Sequence, residues 1–311
     1  MKVIVAGATG TLGSELVPRL IAAGHSVTGL TRSLHGARRL HEMGADAVVA
    51  DVMNAGGLLR AFDRFSADAV IHEATSLTKV PLRHRDLYAT NALRLQGTAN
   101  LLRVAEAVGA RRFVTQSFFL GYGYWDHGEA LVTEEAPFAQ PMRGKFGRHA
   151  ASLRANEQLV LLAPGIDGIA LRYGLFYGPE PTTRKLIEMA RRRQLPITNP
   201  TGVTSPVHIS DAARATVAAL ERGRGGEAYN IVDDTPLPFA EYVEALAYAA
   251  AAPTPFHIPG WMLRPAAYMY ALMVTTRIRL SNEKAKRELG WEPSFRSCHE
   301  GLVATVKGEA W

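Results

Sequence analysis

Three glycines near the start of the chain could bind a phosphate group. Gly7, Gly10 and Gly13 follow the apolar run Val3–Ala6 and precede a helical pattern that ends at Gly24. A buried strand that leads through glycines into a helix leaves backbone N–H groups and the positive helix end free for a pyrophosphate. The spacing is G-x-x-G-x-x-G rather than G-x-G-x-x-G, so the prediction of a dinucleotide site rests on the position between strand and helix. A tight turn without a ligand is the alternative for this glycine loop, residues 7–13.

The end of the second predicted strand indicates which dinucleotide binds. The run Ser26–Thr31 is followed by Arg32 and Ser33, and the next acidic residue is Glu42. An acidic residue here would bind the ribose 2′-hydroxyl of NAD(H), whereas the planar arginine side chain suits the 2′-phosphate of NADP(H). The sequence therefore favours NADP(H) over NAD(H). The alternative is that Arg32 is only a solvated loop residue.

Asp51 and Val52 follow the third predicted strand and are the second candidates for the adenine side of the cofactor. An aspartate after a strand is also a common helix N-cap, in this case for a helix predicted over Met53–Phe65. Both interpretations are open at the level of sequence, and they are compatible with each other.

Strand-like runs alternate with helical patterns along most of the chain. This alternation predicts an α/β fold with a doubly wound, Rossmann-like parallel sheet. An amphipathic segment over Val80–Gly109 predicts a long helix that lies across one sheet face. The predicted strands are Val3–Ala6, Ser26–Leu30, Ala47–Ala50, Ala69–His72, Arg112–Gln116, Gly168–Arg172 and Ala228–Val232.

Prolines become frequent after about residue 174 and separate shorter elements. Because proline is excluded from central strands and helix interiors, these segments predict a smaller substrate lobe of short helices and loops. Its sequence is interleaved with that of the sheet. Residues 1–173 and 207–235 are predicted to form the dinucleotide-binding domain, and residues 174–206 and 236–311 the substrate lobe.

The composition is that of a soluble globular protein, since 47% of the 311 residues are hydrophobic and 21% are charged. The longest apolar stretches are interrupted by charge or proline, so no membrane partner is expected. A strand that starts at residue 2 leaves no room for a cleaved leader and predicts a cytoplasmic location.

Metal and nucleic acid are not expected ligands. Cys298 is the only cysteine, and the ten histidines show no metal-ligand spacing. The formal net charge is +6, but the arginines are spread through the chain. The one tight run, Arg191–Arg193, falls at the end of a predicted helix, where cations complement the helix dipole. Contact with a phosphate-bearing substrate is the alternative for this run.

Several short motifs, taken in order, resemble those of the extended short-chain dehydrogenase/reductase family, also called the NAD-dependent epimerase/dehydratases. The resemblance covers essentially the whole chain. Beyond the glycine loop, the motifs are His72–Thr75, Asn91 with Gly97–Leu102, Leu171–Pro179, Val207–Asp211, Tyr229–Val232 and Lys284–Trp291. The implied and predicted cofactor contacts are Gly7, Thr9, Gly10, Thr11, Leu12, Gly13, Arg32, Ser33, Asp51, Val52, Ala74, Thr75 and Tyr173.

The chain departs from this family where the chemistry takes place. Members usually carry a Ser or Thr after the fifth strand and a Tyr-x-x-x-Lys pair on the next long helix, which together exchange a proton with the substrate. Ser117 fills the serine position and is expected to polarise the substrate oxygen. Alignment on the family's Glu-Gln-Leu, here Glu157–Leu159, puts His149 at the tyrosine position and Leu153 at the lysine position.

Residues at three places in the chain could replace the missing proton donor. His149 titrates near neutral pH, and its alternative is a surface histidine. Tyr122, or Tyr124 in the same loop, could present a phenol over the cofactor, and the alternative is an aromatic wall for an apolar ligand. Tyr173 is the third, although the resemblance places it among the cofactor contacts.

The sequence therefore predicts an NADP(H)-dependent oxidoreductase or epimerase that acts on a small, apolar carbonyl or hydroxyl substrate. Phe118 and Phe119 stand where nucleotide-sugar dehydratases carry acids, which disfavours that activity. Two alternatives are a regulatory sensor that binds NADP(H) without hydride transfer, and a non-redox isomerase or cyclase. The apolar faces of Ala92–Val108 and Ala150–Leu162 would permit a homodimer.

Overall fold

Short apolar runs that are buried on both faces build the central sheet. The computed structural model describes residues 1–77 and 80–308. The strands are β1 (Lys2–Ala6), β2 (Ser26–Thr31), β3 (Asp46–Val49), β4 (Ala69–His72), β5 (Arg112–Phe118), β6 (Asp167–Tyr173), β7 (Leu175–Tyr177), β8 (Ile197–Asn199), β9 (Val203–Thr204), β10 (Pro206–His208), β11 (Glu227–Ile231), β12 (Leu237–Pro238) and β13 (His257–Pro259). Seven of them form one parallel sheet in the order β11-β6-β5-β4-β1-β2-β3. The predicted Rossmann-like sheet is confirmed.

Helices cover both faces of this sheet, because each connection between parallel strands must cross over. They are α1 (Thr11–Ala22), α2 (Leu34–Glu42), α3 (Ala55–Ala61), α4 (Tyr88–Ala92), α5 (Thr98–Val108), α6 (Gly144–Leu161), α7 (Pro181–Arg191), α8 (Ile209–Arg222), α9 (Phe239–Ala249), α10 (Ala267–Tyr270), α11 (Glu283–Leu289) and α12 (Cys298–Lys307). Leu16 of α1 and Leu220 of α8 lie in the core on one face. Val104 of α5 and Val160 of α6 lie in the core on the other.

The single helix predicted over Val80–Gly109 is wrong in its start and in its continuity. The helical segment begins at His84 with a 3₁₀ turn, continues as α4, and passes through a π-helical turn at Leu93–Gly97 before α5. A π turn contains more residues than an α turn, so the apolar spacing loses its phase there. Gly109 ends the segment in the left-handed conformation (φ +76°), as a C-terminal glycine commonly does.

A second core lies beside the carboxyl edge of the sheet and includes Tyr177, Leu246, Met273 and Leu302. Around it, β7 pairs with β10, β8 with β13 and β9 with β12. Much of the predicted substrate lobe contributes to this core. The predicted division between the lobes stays a prediction, and its last residues, 309–311, lie outside the described part of the chain.

The segment from α11 to Trp291 packs with the sheet rather than with the second core. Ala285, Leu289 and Trp291 belong to the same core as α1 and α8. The Trp291 indole donates a hydrogen bond to the Asp211 carbonyl oxygen at 3.0 Å. Part of the region predicted as substrate lobe therefore completes the nucleotide-binding layer.

Within residues 1–77 and 80–308, no helix is long and apolar enough to cross a membrane. Over the same ranges, no group of three or more His, Cys, Asp or Glu side chains is placed to hold a metal ion.

A buried carboxyl group lies directly after β4. The Glu73 N–H donates to the Ala6 carbonyl oxygen at 2.8 Å, and Glu73 Oε1 accepts from the Tyr173 hydroxyl at 3.0 Å. The other oxygen, Oε2, has no hydrogen-bond partner among the described residues. Burial raises the pKa of Glu73 to about 8, although the bond from Tyr173 acts in the opposite direction. The carboxyl group is therefore mostly protonated at pH 7.

Replacement of Glu73 by Gln should make the protein less sensitive to alkaline pH. Between about pH 4.5 and 8 the carboxyl binds its proton in the folded state but loses it on unfolding, so its contribution to the free energy of unfolding falls as pH rises. We expect urea midpoints of Glu73→Gln to exceed those of the wild type by an amount that grows from pH 5 to pH 8. Glu135→Gln, at an exposed position, is the control. A pH-independent difference between the two proteins would contradict this account.

Candidate functional site

Two glycines of the glycine loop are required by close backbone contacts. Gly7 has φ +89°, and a Cβ there would lie 2.6 Å from the backbone of Glu73 and Ala74. A Cβ on Gly13 would lie 2.2 Å from the Gly7 carbonyl oxygen. The Gly10 N–H donates to that same oxygen at 2.9 Å. The loop is thus pressed against β4 and held in one shape before any ligand arrives.

The side of the glycine loop where α1 begins is open and electropositive. Gly10 begins α1 without a side-chain cap, no acidic residue lies in the first turn, and the first helical bond runs from Ser14 N–H to the Gly10 oxygen. The N–H groups of Thr11, Leu12 and Gly13 are therefore available at the positive end of the helix. A Cβ at Gly10 would meet only the Gly7 oxygen, at 3.1 Å. The pyrophosphate of a dinucleotide fits these residues.

Thr9 is half-buried in the loop, whereas Thr11 is exposed at its open side. Ala74 and Thr75 are half-buried directly after β4, and Ala74 N–H donates to His72 Nδ1 at 3.3 Å. The structure thus brings these predicted cofactor contacts to one edge of the sheet. Their contacts with a cofactor stay a prediction.

The predicted adenosine-side residues gather at the ends of β2 and β3. Arg32 is exposed, and Ser33 caps α2 by accepting a hydrogen bond from Gly36 N–H at 3.1 Å. Val52 is buried, and its carbonyl oxygen accepts from the Asn100 side chain at 2.8 Å. This edge of the sheet is therefore ordered by its own hydrogen bonds and leaves the Arg32 guanidinium free to reach a ligand.

Asp51 is exposed and is not the N-cap of the following helix, contrary to one of the two sequence interpretations. Its side chain accepts from Met53 N–H at 2.9 Å and forms a tight turn. The helix α3 starts later, at Ala55, and is capped by Asn54, which accepts from Gly57 N–H at 3.0 Å. The helix also ends at Ala61, earlier than predicted.

Tyr173 is enclosed by the core at the end of β6. Its side chain is fully buried, and its hydroxyl bonds to Thr216 at 2.7 Å and to Glu73 at 3.0 Å. Burial raises the pKa of Tyr173 well above its usual value. Its contact with the cofactor and its role as a proton donor stay predictions.

His149 is buried in α6 and is not a surface histidine. Its Nε2 lies 3.0 Å from His84 Nδ1, and its Nδ1 lies 2.9 Å from the amide nitrogen of Asn91. The Ser152 hydroxyl lies 3.0 Å from the Asn91 amide oxygen, which orients the amide. Three helical segments thus meet at one imidazole.

The protonation of this group follows from its partners. An amide nitrogen can only donate, so His149 Nδ1 accepts, the ring proton sits on Nε2, and Nε2–H donates to His84 Nδ1. Burial, and then the charges of His84 and Arg94, lower the pKa of His149 to about 4. At neutral pH His149 is uncharged, and both of its nitrogens are already bonded within the protein.

Aromatic rings surround the two histidines. The Phe146 ring centroid lies 4.4 Å from that of His84 and 4.4 Å from that of Tyr124. The Tyr268 ring lies 6.0 Å from His149 and 6.1 Å from Tyr124. Sequence reasoning predicted the apolar, aromatic character of this wall but not Tyr268, which comes from the C-terminal lobe. We call this group, His84, Tyr124, Phe146, His149 and Tyr268, the aromatic cluster.

Tyr122 lies apart from the aromatic cluster, within a buried polar network. Its hydroxyl donates to Asn230 Oδ1 at 2.8 Å and accepts from Arg172 at 2.8 Å. Arg172 also pairs with Glu157 at 2.8 Å and stacks 3.7 Å from the centre of the Phe138 ring. Burial raises the pKa of Tyr122 to about 12. Tyr122 is thus a buried residue with two polar partners, and its role as a proton donor stays a prediction.

Ser117 and Leu153 complete the set of sequence candidates. Ser117 is fully buried near the end of β5, and its hydroxyl has no hydrogen-bond partner in the described ranges. Its predicted role in polarising a substrate oxygen stays a prediction. Leu153 is 1% exposed and adds no polar group to α6. Phe118, directly after Ser117, is only half-buried.

Sequence reasoning missed the His84–His149 contact, since 65 residues separate the two positions. A weak signal was present. Asn91 lies seven residues after His84 along the helical segment, which is the spacing of one helix face. Both side chains do bond to His149.

Comparisons with known proteins agree with the fold and with the loop. The family model described as the NAD dependent epimerase/dehydratase family matches residues 3–232. A protein named 3-diazoavenalumate denitrifying reductase, from a Streptomyces species, is 34% identical over 97% of this chain and 99% of its own length. A farnesyl-dihydroquinoline-oxide ketoreductase from Stigmatella aurantiaca is 26% identical over 94% of this chain and 92% of its own.

Among solved structures, the UDP-glucose 4-epimerase of Thermus thermophilus, determined in complex with NAD, is similar with a TM-score of 0.79. It is 27% identical, and the match covers 99% of this chain and 98% of that one.

The substitution Gly13→Ala should weaken both the fold and dinucleotide binding. The added Cβ would meet backbone at 2.2 Å, so α1 must shift away from the loop. We expect a loss of stability of about 1–3 kcal/mol and at least a roughly tenfold weaker affinity for NADPH, measured by thermal unfolding and fluorescence titration. The control is Gly56→Ala, where the nearest atom, on the Arg60 side chain, lies 3.4 Å away. NADPH affinity equal to that of the wild type would refute the role of the loop.

Proposed function

The chain belongs to the NAD-dependent epimerase/dehydratase family, and we propose that it is an NADP(H)-dependent reductase of a small aromatic substrate. One observation carries the proposal. At the two positions that resemble the family's Tyr and Lys stand His149, with both nitrogens bonded inside the protein, and Leu153, which has no polar group.

The residues around the cofactor have separable roles in this proposal. The N–H groups at the start of α1 hold the pyrophosphate, and Arg32 with Ser33 holds the 2′-phosphate of the ribose. When bound, NADPH supplies the hydride. The aromatic cluster packs against the flat face of the substrate and keeps water away from the reacting atoms.

The missing proton relay limits the kind of substrate. Reduction of a carbonyl builds negative charge on oxygen, which needs a positioned acid or hydrogen-bond donor. His149 is neutral, with its proton directed at His84, and Leu153 cannot donate. Epimerisation, in which the same hydride returns to the substrate, also needs such a donor at the oxygen. The site is therefore better suited to an electrophile that accepts a hydride without simultaneous protonation.

A diazo group on an aromatic ring meets this condition. In an ortho-diazophenol, the hydride and its electron pair enter the substrate, the carbon–nitrogen bond breaks, N₂ leaves, and the ring carbon ends with a C–H bond. The phenolate oxygen that remains takes one proton from water. The name of the Streptomyces relative, a denitrifying reductase of a diazo compound, supports this assignment.

Carbonyl reduction is the second candidate, and the His84–His149 hydrogen bond favours it. This route needs the opposite tautomer of His149: if Asn91 released Nδ1, a proton on Nδ1 could go to an oxygen anion, and His84, protonated on its own Nδ1 through the neighbouring cavity, could replace that proton through His149 Nε2. The ketoreductase relative is consistent with such chemistry. In this version His149 is a catalytic acid, whereas in the leading version it only shapes the site.

The two candidates are separated by one assay. The purified protein is incubated with NADPH deuterated at C4 and either 3-diazo-4-hydroxybenzoate or 4-hydroxyacetophenone, and the absorbance of the reduced nicotinamide is followed. We expect oxidation of NADPH with the diazo compound, release of N₂ and deuterium on the ring carbon. Oxidation with the ketone alone would support the second candidate. No oxidation with either would refute both and leave a protein that only binds the dinucleotide.

His149→Gln adds a second criterion to the same assay, with the exposed His257→Gln as its control. Diazo reduction should survive this change within a few-fold, because no proton comes from His149. Ketone reduction should fall by about 10²-fold or more if His149 is the acid.

Arg32→Ala should reduce the preference for NADPH. Loss of the guanidinium removes a charge-assisted contact with the 2′-phosphate, so the Kd for NADPH should rise at least about tenfold while the Kd for NADH changes little. Calorimetric titration with both cofactors measures this. Arg60→Ala, at another exposed arginine, is the control. Equal changes for the two cofactors would rule out the contact.

A further inference from the structure

Arg94 is a half-buried cation beside the aromatic cluster, and no described residue pairs with it. It lies on the π turn Leu93–Gly97 between α4 and α5, and such turns are frequent at functional positions. No hydrogen-bond acceptor or ion-pair partner contacts its guanidinium in the part of the chain that the structure describes. A guanidinium has five donors, and one that loses much of its hydration without gaining a partner is costly. A bound anion would offset this unfavourable free energy of desolvation.

The groups that Arg94 acts on electrostatically, among the described residues, are histidines and tyrosines rather than carboxylates. Burial lowers the pKa values of His72, at the end of β4, and of His149, each to about 4, and the charge of Arg94 acts in the same direction. It also acts on the phenols of Tyr124 and Tyr268, whose pKa values are raised by burial. All four neighbours are therefore neutral at pH 7. Arg94 thus lies near the end of β4 and near the aromatic cluster.

The approach to the aromatic cluster is also positive. A cavity of about 210 Å³ lies against His84 and is lined in part by Arg83, Arg85 and Lys145. Charges of one sign around a cleft raise the local concentration of the opposite ion. This cavity beside His84 thus favours a negatively charged ligand.

We propose that Arg94 binds a carboxylate carried by the aromatic substrate. The planar fork of arginine matches a carboxylate through two parallel hydrogen bonds, and the aromatic cluster supplies surfaces for the attached ring. The cofactor's pyrophosphate has a separate place at the start of α1. This inference rests on the proposed function for the identity of the site, and it adds that the substrate is an aromatic acid.

The test compares 4-hydroxycinnamate with 4-hydroxycinnamamide, which have the same ring and nearly the same shape but differ in charge. Calorimetric titration of each into the NADPH-saturated protein gives the Kd values. We expect the acid to bind at least about tenfold more tightly than the amide to the wild type. Arg94→Met should abolish this difference, and Arg94→Lys should keep part of it. The Kd for NADPH should stay within about twofold in both variants.

A structural role for Arg94 would give a different result. Removal of an unpaired, partly desolvated charge should leave Arg94→Met at least as stable as the wild type in thermal unfolding. Equal affinity for acid and amide in the wild type, absence of binding by both, or an acid preference that survives Arg94→Met would overturn the proposal. A weaker Kd for NADPH in Arg94→Met would assign the residue to the cofactor instead. Because the titration requires no turnover, its outcome is independent of whether hydride transfer is detected.

Discussion

The direct contact between the glycine loop and the end of β4 is the constraint on which the site depends. Gly7 lies backbone to backbone against Glu73 and Ala74, and Gly13 brings α1 down onto the same loop. This contact fixes the position of the positive helix end relative to the sheet. It also buries Glu73, so the charged form of the carboxyl beneath the loop is poorly solvated.

Two arginines, Arg172 and Arg94, differ in how far their charges are compensated by neighbouring groups. Arg172 is buried and fully compensated, since it pairs with Glu157, bonds to Tyr122 and stacks on Phe138. That network joins β6, α6 and the loop after β5, and truncation of one partner would leave an uncompensated charge in the core. Within residues 1–77 and 80–308, Arg94 has no such partners, although it is half-buried beside the aromatic cluster. This difference in compensation is the basis for the ligand proposed at Arg94.

The sheet could be predicted from the sequence because its strands are buried on both faces. Runs such as Ala69–Ile71 are short and continuously apolar, and the structure keeps the bounds of the predicted strands within one or two residues. The glycine loop was equally accessible, since the positive φ of Gly7 and the contact of Gly13 with the Gly7 oxygen are local properties. The aromatic cluster was not, because it brings together helices and a C-terminal segment that are distant in sequence. Tyr122 shows the remaining limit, since residue type alone does not tell a buried phenol from a presented one.

Trp291 is translated long after the strands of the sheet, and this order affects folding during synthesis. The core between α1 and α8 is completed only by Ala285, Leu289 and Trp291, about sixty residues after the last strand of the sheet. During synthesis the ribosome therefore releases all seven strands, with α1 and α8, before the segment that packs on α8 and β11 has emerged. Until then that part of the core stays exposed to other nascent chains and to chaperones, so this core is completed only when the C-terminal segment has been made.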